Sequence, residues 1–336
     1  MRQNRLLKVG PCIRSQSRRT RRLITCQLNA NLSRFLCIVL IATVGLLSGC
    51  GDRPGATALA NAGITASSTL TNYYNSLAQD TVDIWEMEAF YDSLQGIPFD
   101  NNSQKLYQDR INALNHRAQM ASDLGSIYGV LLKSASYDAS GQVGDAALRL
   151  SKQLTSIPVF AGSGVDPSNL VKSVAGGLAD WKQSKDLQKG SQLIIETLEA
   201  IEKLFQAESR VYKSIAMDRG LSVANVMEYM IQKNMVSTTP LLMKIPQALG
   251  LTLSTIPSDE KTTKAVIQLA RVRSYRVALL SASVADTTDH ALVVLIQNHK
   301  DFQSKSKLSL STVLAGLQQA QTYLDEIAQL RSEKKE

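Results

Sequence analysis

What this chain lacks narrows its chemistry first. Its four cysteines are Cys12, Cys26, Cys37 and Cys50, and none lies beyond position 50. The long remainder therefore holds no internal disulfide, no thiolate metal site and no cysteine nucleophile. Histidine is scarce, at His116, His290 and His299. Acidic side chains are absent from residues 1–49, a segment that contains nine of the 37 Lys and Arg residues. The formal charge of +8 thus belongs to that segment, because the rest sets 28 basic residues against 29 acidic ones. A nucleic-acid footprint needs basic residues clustered on a folded face. No such excess remains after residue 49, so nucleic acid is not an expected partner. Nor does any unbroken apolar run beyond position 50 reach the roughly 20 residues that span a bilayer.

The leader is the most specific feature present. Residues 35–47, FLCIVLIATVGLL, form an uncharged apolar run of 13 residues directly after Arg34. That length suits the hydrophobic region of a signal peptide and is short for a spanning helix. Ser48, Gly49 and Cys50 follow. Small residues at 48 and 49 let the backbone lie extended in a protease site, and Cys50 supplies a thiol. The sequence Leu47-Ser48-Gly49-Cys50 resembles the lipobox of bacterial lipoproteins. The resemblance covers roughly residues 34–52 and implies nothing about the fold that follows.

It implies cleavage before Cys50, diacylglycerol on the Cys50 thiol, and a domain held outside the cytoplasm on a membrane of a bacterial cell envelope. Gly51 and Asp52 occupy the positions that sort lipoproteins between inner and outer membrane, and that choice stays open. The Arg-rich stretch 1–33 is longer than most leaders of this kind. It is either an extended basic region or lies upstream of the true start. The expected organisation is a signal peptide at 1–49, a lipidated tether at 50–57, a helical domain at 58–330 and a charged tail at 331–336. At most ~3.5 Å per residue, the linker Gly51-Asp52-Arg53-Pro54-Gly55 within that tether spans on the order of 20 Å.

Helical periodicity dominates the domain, and the spacing predicts an all-α fold. In 58–94, Leu70, Tyr74, Leu77, Ile84 and Tyr91 recur at steps of three and four or their multiples. Gly96 and Pro98 break the pattern, and Asn102 or Ser103 is the expected cap of the next helix. That helix runs to about 135 with Leu114, Ala118, Ala121 and Tyr128 on one stripe. A shorter helix is expected at about 141–155, and Asp166-Pro167 reads as another helix start. The most regular stripe is Ile194, Leu198, Ile201, Phe205, Tyr212 and Ile215, within about 184–233. Glu196, Glu199, Glu202 and Glu208 are read off that stripe, and Gly190 and Gly220 are possible interruptions. Pro240, Pro246 and Pro257 limit the next stretch to short pieces. Ser258-Asp259-Glu260 then reads as a cap with an acidic first turn. The last helix, from about 309, carries Leu310, Leu314, Leu317, Leu324 and Ile327. Ala291–Ile296 is apolar enough for a strand but has no partner run, so helix is expected there too. The predicted architecture is an elongated antiparallel helical bundle with at least two long helices, preceded by a cleaved signal peptide.

No catalytic constellation stands out. Asp286, Asp289, His290, His299 and Asp301 form the densest polar cluster, and imidazole with carboxylate suits zinc. The spacing matches no helical ligand pair, so Asp289, His290 and His299 remain weak metal candidates beside the plainer reading of a solvated helix. Ser258-x-x-Lys261 and Ser304-x-x-Lys307 have the serine–lysine spacing of penicillin-binding enzymes but lack the companion motifs. Gly162-Ser163-Gly164 is a fragment of a phosphate loop with no Walker lysine. Trp85, Phe90 and Tyr91 form the richest aromatic patch, the candidate lining of a ligand pocket or simply a helix contact. No cofactor is implied. The expectation is a non-enzymatic, lipid-anchored binding or scaffolding module with membrane lipid and an unidentified envelope protein as partners. A membrane-active protein shaped like pore-forming toxins, and a small-ligand binder or enzyme, are the alternatives.

Overall fold

The computed structural model describes residues 53–98, 100–135, 187–248 and 259–332, with short stretches at 149–150, 152–153, 156–158 and 160. The leader with Leu47, Ser48, Gly49 and Cys50 lies outside the described residues, as do Gly162–Gly164, Asp166-Pro167, Ser258 and most of 141–155. Six helices make up the described fold: α1 (Arg53–Leu94), α2 (Asn101–Ala135), α3 (Leu187–Gln232), α4 (Thr239–Ala248), α5 (Glu260–Gln303) and α6 (Leu310–Ser332). There is no strand among the described residues, and Ala291–Ile296 lies inside α5. The chain from Asp52 onward forms one compact unit, an all-α bundle.

The long helices run in alternating directions. Gly55 at the start of α1 packs on the Phe302 ring at the end of α5, with 3.2 Å from a Cβ built on Gly55 to the ring. Ser191 near the start of α3 meets His299 at the same level. At the other end, Arg271 of α5 pairs with Glu228 of α3. Helices α1, α3 and α6 therefore run one way, and α2 and α5 the other. Residues of α1 reach all four other long helices: Tyr128 of α2, Arg219 of α3, Phe302 of α5 and Gln321 of α6.

Composition explains that central position. The first half of α1 is rich in Ala, Gly, Ser and Thr, and Ala56, Ala60, Ala62 and Ala66 are all buried. Small side chains let neighbouring backbones approach closely. Their hydroxyls stay satisfied by bonding back four residues, as Ser67 Oγ donates to the Gly63 carbonyl at 2.8 Å and Thr81 Oγ1 to the Leu77 carbonyl at 2.9 Å. Further along, Leu70, Tyr73, Tyr74 and Leu77 fill the core against Phe205 and Tyr212 of α3.

Several local expectations are corrected. Helix α1 starts at Arg53, not 58, because Pro54 falls in a first turn where its missing N–H is not needed. Asp100 caps α2 rather than Asn102 or Ser103, accepting from both of their backbone N–H groups at 3.1 Å. Asp259 caps α5 by accepting from the Thr262 N–H at 2.8 Å. Helix α3 continues through Gly190 and Gly220. At Gly220 the missing side chain lets α5 come close, since a Cβ there would lie 3.3 Å from the Ser274 carbonyl oxygen. On α6, Leu317, Leu324 and Ile327 of the expected stripe are buried, but Leu314 is 45% exposed and Val313 takes the core position in its turn. Helices α1, α3 and α5 each end at a left-handed residue, Gly96, Asn234 and Lys305. At all three the following N–H bonds five residues back, as Ser306 N does to the Asp301 carbonyl at 2.7 Å. Helix α5 is also the one described helix long and apolar enough to cross a membrane by length and composition, with 44% of its most apolar window buried.

Candidate functional site

The interior of the bundle holds three polar layers stacked along its axis. In the first, His299 of α5 joins two other helices. Its Nε2 lies 3.0 Å from the Tyr128 hydroxyl of α2, and its Nδ1 lies 2.8 Å from Ser191 Oγ of α3. A neutral imidazole has one donor and one acceptor nitrogen, and hydroxyls serve either role, so every group is satisfied. Burial lowers the His299 pKa to about 3, which keeps the ring uncharged at neutral pH. A serine beside a histidine is the start of a nucleophile–base pair. Here Ser191, His299 and Tyr128 are all 0% exposed, so substrate has no access to them.

The second layer is an ion pair. Arg117 of α2 and Glu208 of α3 are both fully buried and meet in a two-point contact, with Arg117 Nε 2.7 Å from one carboxylate oxygen. Two further guanidinium donors bond to the Ala113 and Pro158 carbonyls at 2.7 and 2.9 Å. The Phe160 ring lies 4.3 Å from the guanidinium carbon. Tyr212 donates to Glu208 at 2.5 Å. Burial pushes the Arg117 pKa down, but its hydrogen bonds to the Glu208 carboxylate together with the nearby negative charge outweigh it, and the net shift is upward. Desolvation likewise holds the hydroxyls of Tyr73, Tyr74 and Tyr212 in their neutral form. In the third layer Arg219 of α3 bridges Asp80 and Asp83 of α1, at 2.9 and 2.7 Å.

These layers were not legible as sites. Glu208 lies on the buried stripe between Phe205 and Tyr212, against the expectation that it occupies a position off that stripe, and Arg117 and Arg219 carry no motif. A charged residue at a core register position was the available signal.

The metal candidates do not converge. His290 is exposed, and nine helical residues turn it about 180° away from His299. Asp286 pairs with Lys213 at 2.8 Å, and Asp301 accepts from Gln297 at 2.9 Å. Asp289 is partly buried, and desolvation raises its pKa. Among the described residues no group of three or more His, Cys, Asp or Glu side chains is placed to hold a metal. Ser304 caps α5 and bonds to Ser306 and the Asp301 carbonyl, with no bond to Lys307.

The aromatic patch is partly assembled. Trp85 lines a cleft of about 300 Å³ between α1 and α2, with Glu88, Asp92, Asp100, Ser103 and Tyr107 among its walls. Tyr107 donates to Glu88 across it. Tyr91 instead packs edge-on against Tyr229 of α3, centroids 6.0 Å apart, and lines an adjoining cleft of about 120 Å³. Phe90 lines neither. Glu88 and Asp92 border both clefts. At 1.5 Å per residue, Trp85 sits about 48 Å along α1 from Arg53. Comparison of the chain with known protein families, with curated proteins and with solved structures finds no match in any of the three.

Proposed function

We propose that the chain is a lipid-anchored protein of a bacterial cell envelope whose helical bundle binds or scaffolds other envelope components. The observation that carries this reading is the lipobox-like Leu47-Ser48-Gly49-Cys50, with helix α1 beginning only three residues after Cys50. Two acyl chains on one residue anchor a protein stably, where a single chain binds only marginally. Three residues of linker reach at most about 10 Å, so the first turn of α1 sits near the membrane, and the Trp85 cleft lies toward the other end of that helix. The polar side chains of the bundle support binding over catalysis. Those with the strongest chemistry, His299, Arg117 and Glu208, are buried and engaged with one another or with hydroxyls.

Crosslinking in intact cells, followed by purification and mass spectrometry, tests this. The reading expects a reproducible partner that is lost when Cys50→Ala is exported through an ordinary signal peptide. An unchanged partner set for Cys50→Ala would remove the anchor from the account. Helix α5 favours a second reading, a membrane-active bundle that opens to insert this apolar helix. Dye release from liposomes by micromolar protein is its expected sign, and intact vesicles would rule it out.

A further inference from the structure

The cleft at the far end of α1 and α2 has a chemistry that the sealed layers lack. Its flat walls are Trp85 and Tyr107, its charged lining is Glu88, Asp92 and Asp100, and no basic residue lines it among the described residues. We propose that this cleft docks a cationic side chain, arginine or lysine, carried on a basic segment of a partner protein.

Size, charge and shape each bear on that assignment. About 300 Å³ is at the small end of ligand pockets, near the scale of one long side chain rather than a large cofactor. Aromatic faces attract a guanidinium or ammonium through their negative ring faces, most strongly for tryptophan. Asp100 spends both carboxylate oxygens on capping α2. Recognition therefore falls to Glu88 and Asp92, which stand one turn apart on α1. Like charges at that spacing repel, and a cation seated between them relieves the repulsion. Tyr107 fixes Glu88 by its hydroxyl bond, so one half of the anionic pair is oriented in advance. The Arg110 guanidinium already lies 5.9 Å from the Tyr107 ring centroid, so a cation is compatible with that ring.

An extended segment is favoured over a free cation by what surrounds the pocket. Glu88 and Asp92 also border the second cleft, beside Tyr91 and Val226, so two adjacent side chains of one chain have places to sit. Leu94, Ile97 and Leu106, at 37, 47 and 57% exposure, offer apolar contact around the same helix ends. The inference rests on reading the bundle as a binding module, but it does not need the lipid anchor.

The test uses the full chain purified in detergent and a fluorescein-labelled hexa-arginine peptide followed by fluorescence anisotropy. Saturable binding is expected. The double variant Glu88→Gln/Asp92→Asn, and separately Trp85→Leu, should each weaken it at least about tenfold, or 1.4 kcal/mol. Asp325→Asn, an exposed carboxylate on α6, should stay within about twofold. The conservative Asp92→Asn alone, exchanged at a partly exposed position, keeps the test open if the double variant unfolds, and it should show a smaller loss in the same direction. Equal affinity for the cleft variants, an equal loss with Asp325→Asn, or no binding at all would overturn the proposal. Spermidine binding through the same residues as tightly as the peptide would overturn the assignment to a protein segment. None of these outcomes depends on whether Cys50 is lipidated, so failure here and failure of the anchoring reading are distinguishable.

Discussion

Tyr128 occupies the space that any side chain at position 63 would need: a Cβ built on Gly63 would lie 2.1 Å from its ring. The ring in turn places its hydroxyl 3.0 Å from His299, so one glycine on α1 sets the position of a polar contact between α2 and α5. Gly63→Ala is expected to lower stability by about 3 kcal/mol, at the upper end of overpacking costs. Tyr128→Phe, which keeps the ring, should cost only about 1–2 kcal/mol for the unmade hydrogen bond. Urea unfolding midpoints would show that order, and a Gly63→Ala protein as stable as the parent would contradict this packing.

The Arg117–Glu208 pair makes a different prediction. Removing one partner leaves the other charge buried and alone, so Arg117→Met or Glu208→Leu should each cost about 3–5 kcal/mol. The double variant Arg117→Met/Glu208→Leu should cost less than either single change, because no orphaned charge remains. A full double-mutant cycle by chemical denaturation measures this. Additive losses would mean that the two side chains do not act as a pair.

Stability should also carry a histidine signature. The His299 pKa is lowered by burial to about 3 in the folded chain, against an ordinary value near 6.5. Between those values the unfolded chain binds the extra proton, so stability is complete above pH 6.5 and falls as pH drops toward 3. The loss between pH 6.5 and pH 5 should be about 2 kcal/mol. His299→Gln is expected to flatten the curve in that window. A parent protein whose unfolding midpoint does not change between pH 6.5 and pH 5 would contradict a buried neutral imidazole.

Lys305 closes α5 in a left-handed conformation with φ of 56°. Glycine takes that conformation without steric cost. Lys305→Gly should therefore stabilise the chain by about 0.5–1 kcal/mol, read as a higher Tm. A lower Tm would mean that the Lys305 side chain contributes more than its backbone strain costs.

The helices were legible because each must bury one face. Ile194, Leu198, Ile201 and Phe205 mark α3 by spacing alone, and all four are buried. The caps were harder, because Asp100 sits in a loop beside other cap-forming residues and only geometry selects among them. The pairings within the polar layers were not legible. Arg117 and Glu208 are 91 positions apart, and nothing in either local pattern announces a partner across the bundle. Of the aromatic patch, Trp85 and Tyr91 each line a cleft and Phe90 lines neither, while nothing in the sequence marked Glu88 and Asp92, the carboxylates that border both clefts. They alternate with apolar residues as any surface helix does, and only the second helix turns them into walls.

The central claim is that the chain is cut before Cys50 and carries lipid there. Mass spectrometry of the N-terminal peptide of the protein recovered from cell membranes tests it most directly. The account predicts a peptide that begins at Cys50 and bears diacylglycerol on its thiol. An N-terminus upstream of residue 50, or an unmodified Cys50 thiol on the membrane-bound protein, would contradict it.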